Sequence, residues 1–229
     1  MRRHVAAVFK GALFLGAFLL CALSLTAQRA GAQESSEGAY ELGLWKWLSS
    51  TDLLYVPIAI TRKDEIDHAE GLVGASYVWD LDHTVSTRVG YRYNWQLTEP
   101  AAGTEPYREQ RVVAEVNVRP TWGSRAELMN RTRFEFRWID GAPSWRLRER
   151  VLAGHKVALK RDIVLTPYGT FEASYDSRYN TINRLRLSIG AATRFNEHLM
   201  LDTYFARQRD TRSDASELQS FGMTLNLTY

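Results

Sequence analysis

A single cysteine, Cys21, is present in 229 residues, and it falls inside an apolar run near the start, GALFLGAFLLCALSLTA. Arg2, Arg3 and Lys10 come first and Ala30-Gly31-Ala32 follows, the layout of a secretory signal peptide cleaved before Gln33. The run is shorter than a membrane-spanning helix usually needs. The Arg2-Arg3 pair lacks the rest of a twin-arginine signal, so export through the Sec translocon is expected. Leu20 stands where a lipobox has Gly or Ala, which argues against a lipoprotein. Cleavage removes the one thiol and excludes a disulfide framework or a thiolate metal site from the mature chain.

The mature chain also lacks the positive charge that the full sequence shows. The formal net charge is +3. Arg2, Arg3, Lys10 and Arg29 supply four positive charges in residues 1–32, which hold no acid, so the remainder carries −1. A nucleic-acid partner loses its global electrostatic support. Lysine is scarce as well: after residue 32 there are 21 arginines against four lysines. No phosphate loop, zinc motif or Ser-His-Asp arrangement is present, and no metal or cofactor is expected.

What the chain has in abundance is alternation. In NRTRFEFRW, Asn130 to Trp138, one face is Arg131, Arg133, Glu135 and Arg137, and the other is Thr132, Phe134, Phe136 and Trp138. Successive side chains of a strand point to opposite faces, so this is a strand with one charged and one aromatic side. The same two-residue period runs through GLVGASYVWDL, VSTRVGYRYNW, EQRVVAEVNV, SWRLRERVLAGHKVAL, INRLRLSIGAATRF, LMLDTYFA and FGMTLNLTY. Connections alternate between tight ones, such as DLDHT and NEH, and longer polar ones, such as TEPAAGTEPYRE and RDTRSDASE. The expectation is an all-β, transmembrane antiparallel up-and-down barrel of about ten strands, twelve being possible, with short turns mostly at one end.

A soluble barrel would alternate in the same way, but three features favour a lipid-facing apolar side. Tyr91, Tyr93, Trp95, Trp138 and Trp145 sit near strand ends, as an interfacial aromatic girdle requires. The charged face is arginine-rich, and the planar guanidinium pairs carboxylates bidentately in confined space. Phe221, Met223, Leu225, Leu227 and Tyr229 share one face of a closing strand with a terminal aromatic. That ending resembles the signal read by the outer-membrane barrel assembly machinery.

The domain reading is a signal peptide over 1–32, an N-terminal segment over 33–51 and a barrel over 52–229. The stretch YELGLWKWLSS, Tyr40 to Ser50, fits no single period and reads as an extra strand, an interfacial helix or a plug. Glu149 falls on the lipid side of its strand, where a carboxylate is expensive unless a bulge or a headgroup-level position relieves it. Pro57 and Pro167 fall within or at the start of strands, where each loses a ladder donor.

The inward face gathers Arg88, Arg92, Arg111, Arg131, Arg133, Arg137, Arg146, Arg148, Arg150, Arg184, Arg186 and Arg194 against Glu109, Glu115, Glu135, Glu172, Asp176 and Asp202. Two readings stand: an ion-paired plug, since small barrels fill their interiors, or a conduit for small anionic solutes, since rings of Arg line anion pores. Asp80, Asp82 and His83 in DLDHT read as turn chemistry. No His has a Ser two residues away, the spacing of outer-membrane lipid hydrolases. For a rim-active outer-membrane enzyme acting on lipid or peptide, His68 beside Asp67 and Glu70 is the one candidate.

From about Arg88 to Tyr229, the order GYRYNW, NRTRFEFRW, RLRERV and NRLRLSIGAATRF resembles domain-of-unknown-function family 2490, an uncharacterised bacterial family. The resemblance implies a small outer-membrane barrel and no established activity. A weaker similarity is to narrow acidic-oligosaccharide channels, which carry tracks of inward Arg but do not share these motifs in order. The expected protein is a non-enzymatic outer-membrane barrel, with membrane lipids, Sec translocon, periplasmic chaperones and the assembly machinery as partners. A soluble periplasmic barrel is the third alternative.

Overall fold

The computed structural model describes residues 34–63, 68–99, 105–160, 162–211 and 217–229. The signal-peptide reading and Asp67 lie outside the described residues. Twelve strands follow one another: β1 (Glu34–Trp47), β2 (Asp52–Lys63), β3 (His68–Asp80), β4 (Val85–Gln96), β5 (Arg108–Val118), β6 (Ala126–Ile139), β7 (Ala142–His155), β8 (Val157–Ala158), β9 (Val164–Asp176), β10 (Thr181–Arg194), β11 (Leu199–Asp210) and β12 (Glu217–Thr228). The two residues of β8 only extend β7 against β9, so eleven long strands make the wall. Neighbours pair antiparallel around the ring from β1 to β12, and the ring closes where β12 returns to β1.

That closing pair is parallel, with Glu34 opposite Glu217 and Trp45 opposite Thr228. An up-and-down chain with an odd number of strands must close this way, because its first and last strands run in the same direction. Eleven strands fall between the ten and the twelve expected from the sequence. The added strand is β1, so Tyr40 to Trp47 takes the extra-strand option. Its period was hard to read because the inward positions include Ala39, Gly43, Trp45 and Trp47, which contrast poorly with Tyr40, Leu42 and Leu44 outside. Backbone bonds from Trp47 N to Tyr229 O and from Tyr229 N to Trp45 O, each 2.9 Å, carry the seam to the chain's last residue.

The expected segregation of short and long connections is weak. At the end where Tyr229 lies, the connections are 48–51, 81–84, 119–125, 156–163 and 195–198; at the other they are 64–67, 97–107, 140–141, 177–180 and 211–216. β6 runs to Ile139 and β7 starts at Ala142, so only Asp140-Gly141 is left as the turn between them. Both residues have positive φ, 49° and 84°, as a two-residue type I′ hairpin requires.

The two prolines sit where ladders are interrupted. The β2–β3 register passes from Tyr55–Ser76 to Ile58–Val73 and skips Pro57. Pro167 falls between the last β7–β9 pair, Gly154–Tyr168, and the first β8–β9 pair, Val157–Leu165. Glu149 does face outward, but no bulge relieves it, since β7 pairs without a shift on both sides. Instead Asn130 Nδ2 and Thr132 Oγ1, outward on β6, donate to its carboxylate, the latter at 2.7 Å.

Burial is inverted relative to a water-soluble core. Ile60, Ile189 and Phe221 are about half exposed on the outside, whereas Glu109, Glu135 and Asp176 are 0% exposed inside. In β6, Arg133, Glu135 and Arg137 turn inward and Phe134 outward. Hydrophobic residues normally bury and ionised ones normally do not. The large apolar side chains thus line the outer wall and the ionised ones the interior.

Candidate functional site: the arginine wall of the barrel interior

The inward residues of β4 to β9 form a continuous network because the strand registers set opposite charges side by side. Arg88 is the direct partner of Glu115 and Glu115 of Arg133; Glu135 faces Arg146, Arg150 faces Glu172 and Arg146 faces Asp176. Such directly opposed pairs are the natural contacts of a sheet face. Like charges are also opposed, at Arg92–Arg111, Arg111–Arg137, Arg131–Arg150 and Arg133–Arg148. Those repulsions are relieved by carboxylates that each accept from more than one guanidinium.

Three carboxylate centres do this. Towards the Tyr229 end, Glu115 accepts from Arg88 and Arg133 at 2.6 Å each, from Asn117 at 3.1 Å, and has Arg131 at 3.5 Å. In the middle, Arg148 bridges Glu135 at 3.0 Å and Glu172 at 2.7 Å, and Glu172 also takes Arg150 at 2.6 Å. Towards the Asp140 end, Arg137 bridges Glu109 and Asp176, Arg111 joins Glu109, and Arg146 and Arg178 join Asp176 at 2.8 and 3.0 Å. Bridging of this kind suits the five N–H donors that a guanidinium spreads over a planar fork, where lysine offers three on a single nitrogen. Arg178 lies in the turn after β9, and its guanidinium is held above its ordinary pKa by hydrogen bonding to Asp176.

The opposite wall is acidic and hydroxylic. Glu41 on β1 accepts from Tyr55, Glu37 from Ser220 at 3.2 Å, and Asp202 on β11 from Tyr168 at 2.8 Å. Arg184 pairs with Asp210 at 2.8 Å. Arg186 reaches Gln208 at 3.4 Å and lies over the Tyr204 ring at 5.5 Å. Tyr204 in turn lies across Gly222, where a Cβ would come within 2.0 Å of the ring. Sequence reading passed over Glu37, Glu41 and Asp210 and the inward tyrosines, because Glu37 and Glu41 lie in or beside the stretch without a period and a tyrosine fits either face.

The network does not neutralise everything. On the inward face of β4 to β9, Arg88, Arg92, Arg111, Arg131, Arg133, Arg137, Arg146, Arg148 and Arg150 outnumber Glu109, Glu115, Glu135, Glu172 and Asp176. Among the described residues, Arg92 makes no ion pair. Arg131 and Arg150 keep side-chain exposures of 23% and 28%, against 4% for Arg137, so they front the open part of the interior. Arg194 is exposed at the Tyr229 end of β10 and takes no part in the network.

Other candidates fall elsewhere. Asp82 accepts the backbone N–H groups of Thr84 and Val85 at 2.6 and 2.8 Å, which lowers its carboxyl pKa and makes DLDHT an ordinary hydrogen-bonded turn. His68 Nε2 lies 2.9 Å from Glu70 at the start of β3. No group of three metal-ligating side chains occurs among the described residues. Phe221, Met223, Leu225, Leu227 and Tyr229 all share the parity of the outer wall.

The closed barrel with its alternating-arginine strands is matched by a family model, that of a protein of unknown function, DUF2490, over residues 55–219. The chain belongs to that family. The match takes in β3 to β11 and most of β2, hence the whole arginine wall, and leaves out β1. No curated protein matches the chain.

Proposed function

We propose that this chain is a non-enzymatic integral protein of the bacterial outer membrane whose interior forms a narrow, anion-preferring path. The membrane reading is supported by the exposed apolar outer wall around a closed ring, since only a barrel without free strand edges satisfies its backbone in lipid. Aromatics near both ends, Tyr77 and Trp79 on one side and Trp95, Trp138 and Trp145 on the other, suit the two interfaces. The outward row Phe221 to Tyr229 is then the signal by which the assembly machinery takes the chain from periplasmic chaperones after Sec export.

The observation that carries the anion path is the surplus of guanidinium on the β4–β9 wall, with Arg92 outside any ion pair among the described residues and Arg131 and Arg150 partly exposed. The rest of the wall is taken up by ion pairs, so the path is narrow and runs along the boundary between the basic and acidic sides. Small anionic solutes are the expected cargo. Single-channel recording of the refolded protein in a planar bilayer, with the reversal potential under a salt gradient, tests this. Discrete anion-selective steps are expected; silence after confirmed insertion would make the arginine wall a plug.

A further inference from the structure

Outside the lumen, a cleft of about 610 Å³ opens on the outer wall at the Asp140 end, lined by Val73, Tyr93, Trp95, Gln96, Pro106, Tyr107 and Arg108. Its floor is aromatic. The Tyr93 and Trp95 rings stack at 5.8 Å with planes 16° apart. The indole lies flat because residue 71 is glycine: a Cβ there would meet Trp95 Cζ2 at 2.5 Å. Val73, 41% exposed, continues the floor towards the middle of the wall.

The overhang is fixed. Gln96 N donates to Tyr107 O at 3.0 Å, and Tyr107 N donates back to Gln96 Oε1 at 3.1 Å. Tyr107 Oη is anchored on Glu109, and Leu97 N on Ala69 O at 2.8 Å. Arg108 is exposed at the mouth, opposite Trp95 in the strand register. Its guanidinium makes no ion pair among the described residues, and the neighbouring acid, Asp140, accepts the Arg108 backbone N–H through Oδ1 at 2.9 Å.

We infer that this cleft holds a phosphate-bearing anionic lipid of the surrounding bilayer, its phosphate on Arg108 and the start of an acyl chain over Trp95, Tyr93 and Val73. The inference rests on the membrane reading above. A free guanidinium at the rim, above a stacked aromatic floor that runs into the apolar wall, matches an amphiphile with an anionic head in both charge and polarity order. The volume lies within the range of ordinary ligand sites.

Native mass spectrometry of the detergent-solubilised barrel tests it, with phosphatidylglycerol, phosphatidylcholine and inorganic phosphate as probes. Phosphatidylglycerol should be retained about tenfold or more over phosphatidylcholine, and Arg108→Ala should remove that preference. Trp95→Ala should lower retention of both lipids, whereas Trp122→Ala, at the opposite end, should change neither. Equal retention by wild type and Arg108→Ala, or inorganic phosphate alone competing as well as the lipid, would overturn the inference. Gel migration of unheated samples separates the two failures. A barrel that does not migrate as a folded species sinks the membrane reading, whereas a folded barrel without lipid preference sinks only the cleft.

Discussion

Glu115 offers the sharpest test of the charged interior, because one carboxylate there holds three guanidinia. Arg88 and Arg133 lie at 2.6 Å and Arg131 at 3.5 Å, and Glu115 is 4% exposed. At an effective dielectric of about 20, each Glu–Arg contact near 3 Å attracts by roughly 5 kcal/mol, and each Arg–Arg pair near 5 Å repels by roughly 3 kcal/mol. Desolvation and relaxation absorb much of both, and breaking a buried pair from one side costs about 3–5 kcal/mol. Glu115→Ala is therefore expected to lower the folded-to-unfolded ratio by roughly two to four decades. Arg88→Ala removes one repelling cation and leaves Glu115 two partners, so it should cost about 1–3 kcal/mol. The double variant should be more stable than the sum of the two losses implies. Urea unfolding in lipid vesicles, followed by migration of unheated samples, measures all three. Glu115→Ala within about 1 kcal/mol of wild type, or less damaging than Arg88→Ala, would show that water and not pairing satisfies this wall.

Four further outcomes are expected. Arg150→Gln should reduce anion preference in bilayer recordings with little loss of stability, whereas Arg137→Gln, buried between Glu109 and Asp176, should destabilise by about 3 kcal/mol or more in urea. Asn130→Leu should destabilise by about 1–2 kcal/mol by stripping a donor from outward Glu149, while replacing Asn130, Thr132 and Glu149 together by Leu, Val and Leu should raise the urea midpoint. Gly141→Val should cost about 1–2 kcal/mol, read by the same unfolding assay, because φ is 84° there and an L side chain resists it. Asp82 has a folded pKa below its ordinary 3.8, so the unfolded chain binds more protons in that window and stability rises as pH climbs through it; Asp82→Ala should flatten that acid-range slope in a pH series of unfolding midpoints.

How much of this was legible depends on contrast between the two faces of each strand. NRTRFEFRW is readable because Arg131, Arg133, Glu135 and Arg137 differ from Phe134, Phe136 and Trp138 in every physical respect. In β1 the contrast fades: Ala39, Gly43 and Trp45 point inward while Tyr40 and Leu42 point outward, so the stretch reads equally as a strand, a helix or a plug, and the odd count and parallel seam do not follow from it. Glu115 could be assigned to the charged face from its position in EQRVVAEVNV. Its role as the hub of three arginines could not, because that depends on the registers of β4, β5 and β6 together. The relief of Glu149 by Asn130 and Thr132 is likewise a register effect, since nothing local in SWRLRERV points to β6. IDGAPS, with Gly141, Pro143 and Ser144, reads as a connection, and the positive φ at Asp140 and Gly141 shows it to be a tight hairpin.

Stability alone does not explain why the interior is charged. A buried ion-pair network is often no more stable than well-packed apolar residues of similar volume. A barrel with an apolar outer wall has a different problem, however. Were the inward positions of β4 to β9 also Val, Leu and Phe, both faces of every strand would be alike, and a one-residue slip in register would carry no penalty. With Arg133, Glu135 and Arg137 inward, the same slip would put two guanidinia and a carboxylate on the outer wall and three aromatics inside. The cost would be several kcal/mol for each charge facing lipid, before any pairing is lost. Opposed pairs such as Arg88–Glu115 and Arg150–Glu172 then distinguish the correct register from a two-residue slip, which keeps the faces but misaligns the charges. The network thus fixes which side of each strand faces in and which residue meets which. Arg92, which makes no ion pair among the described residues, is surplus to that task.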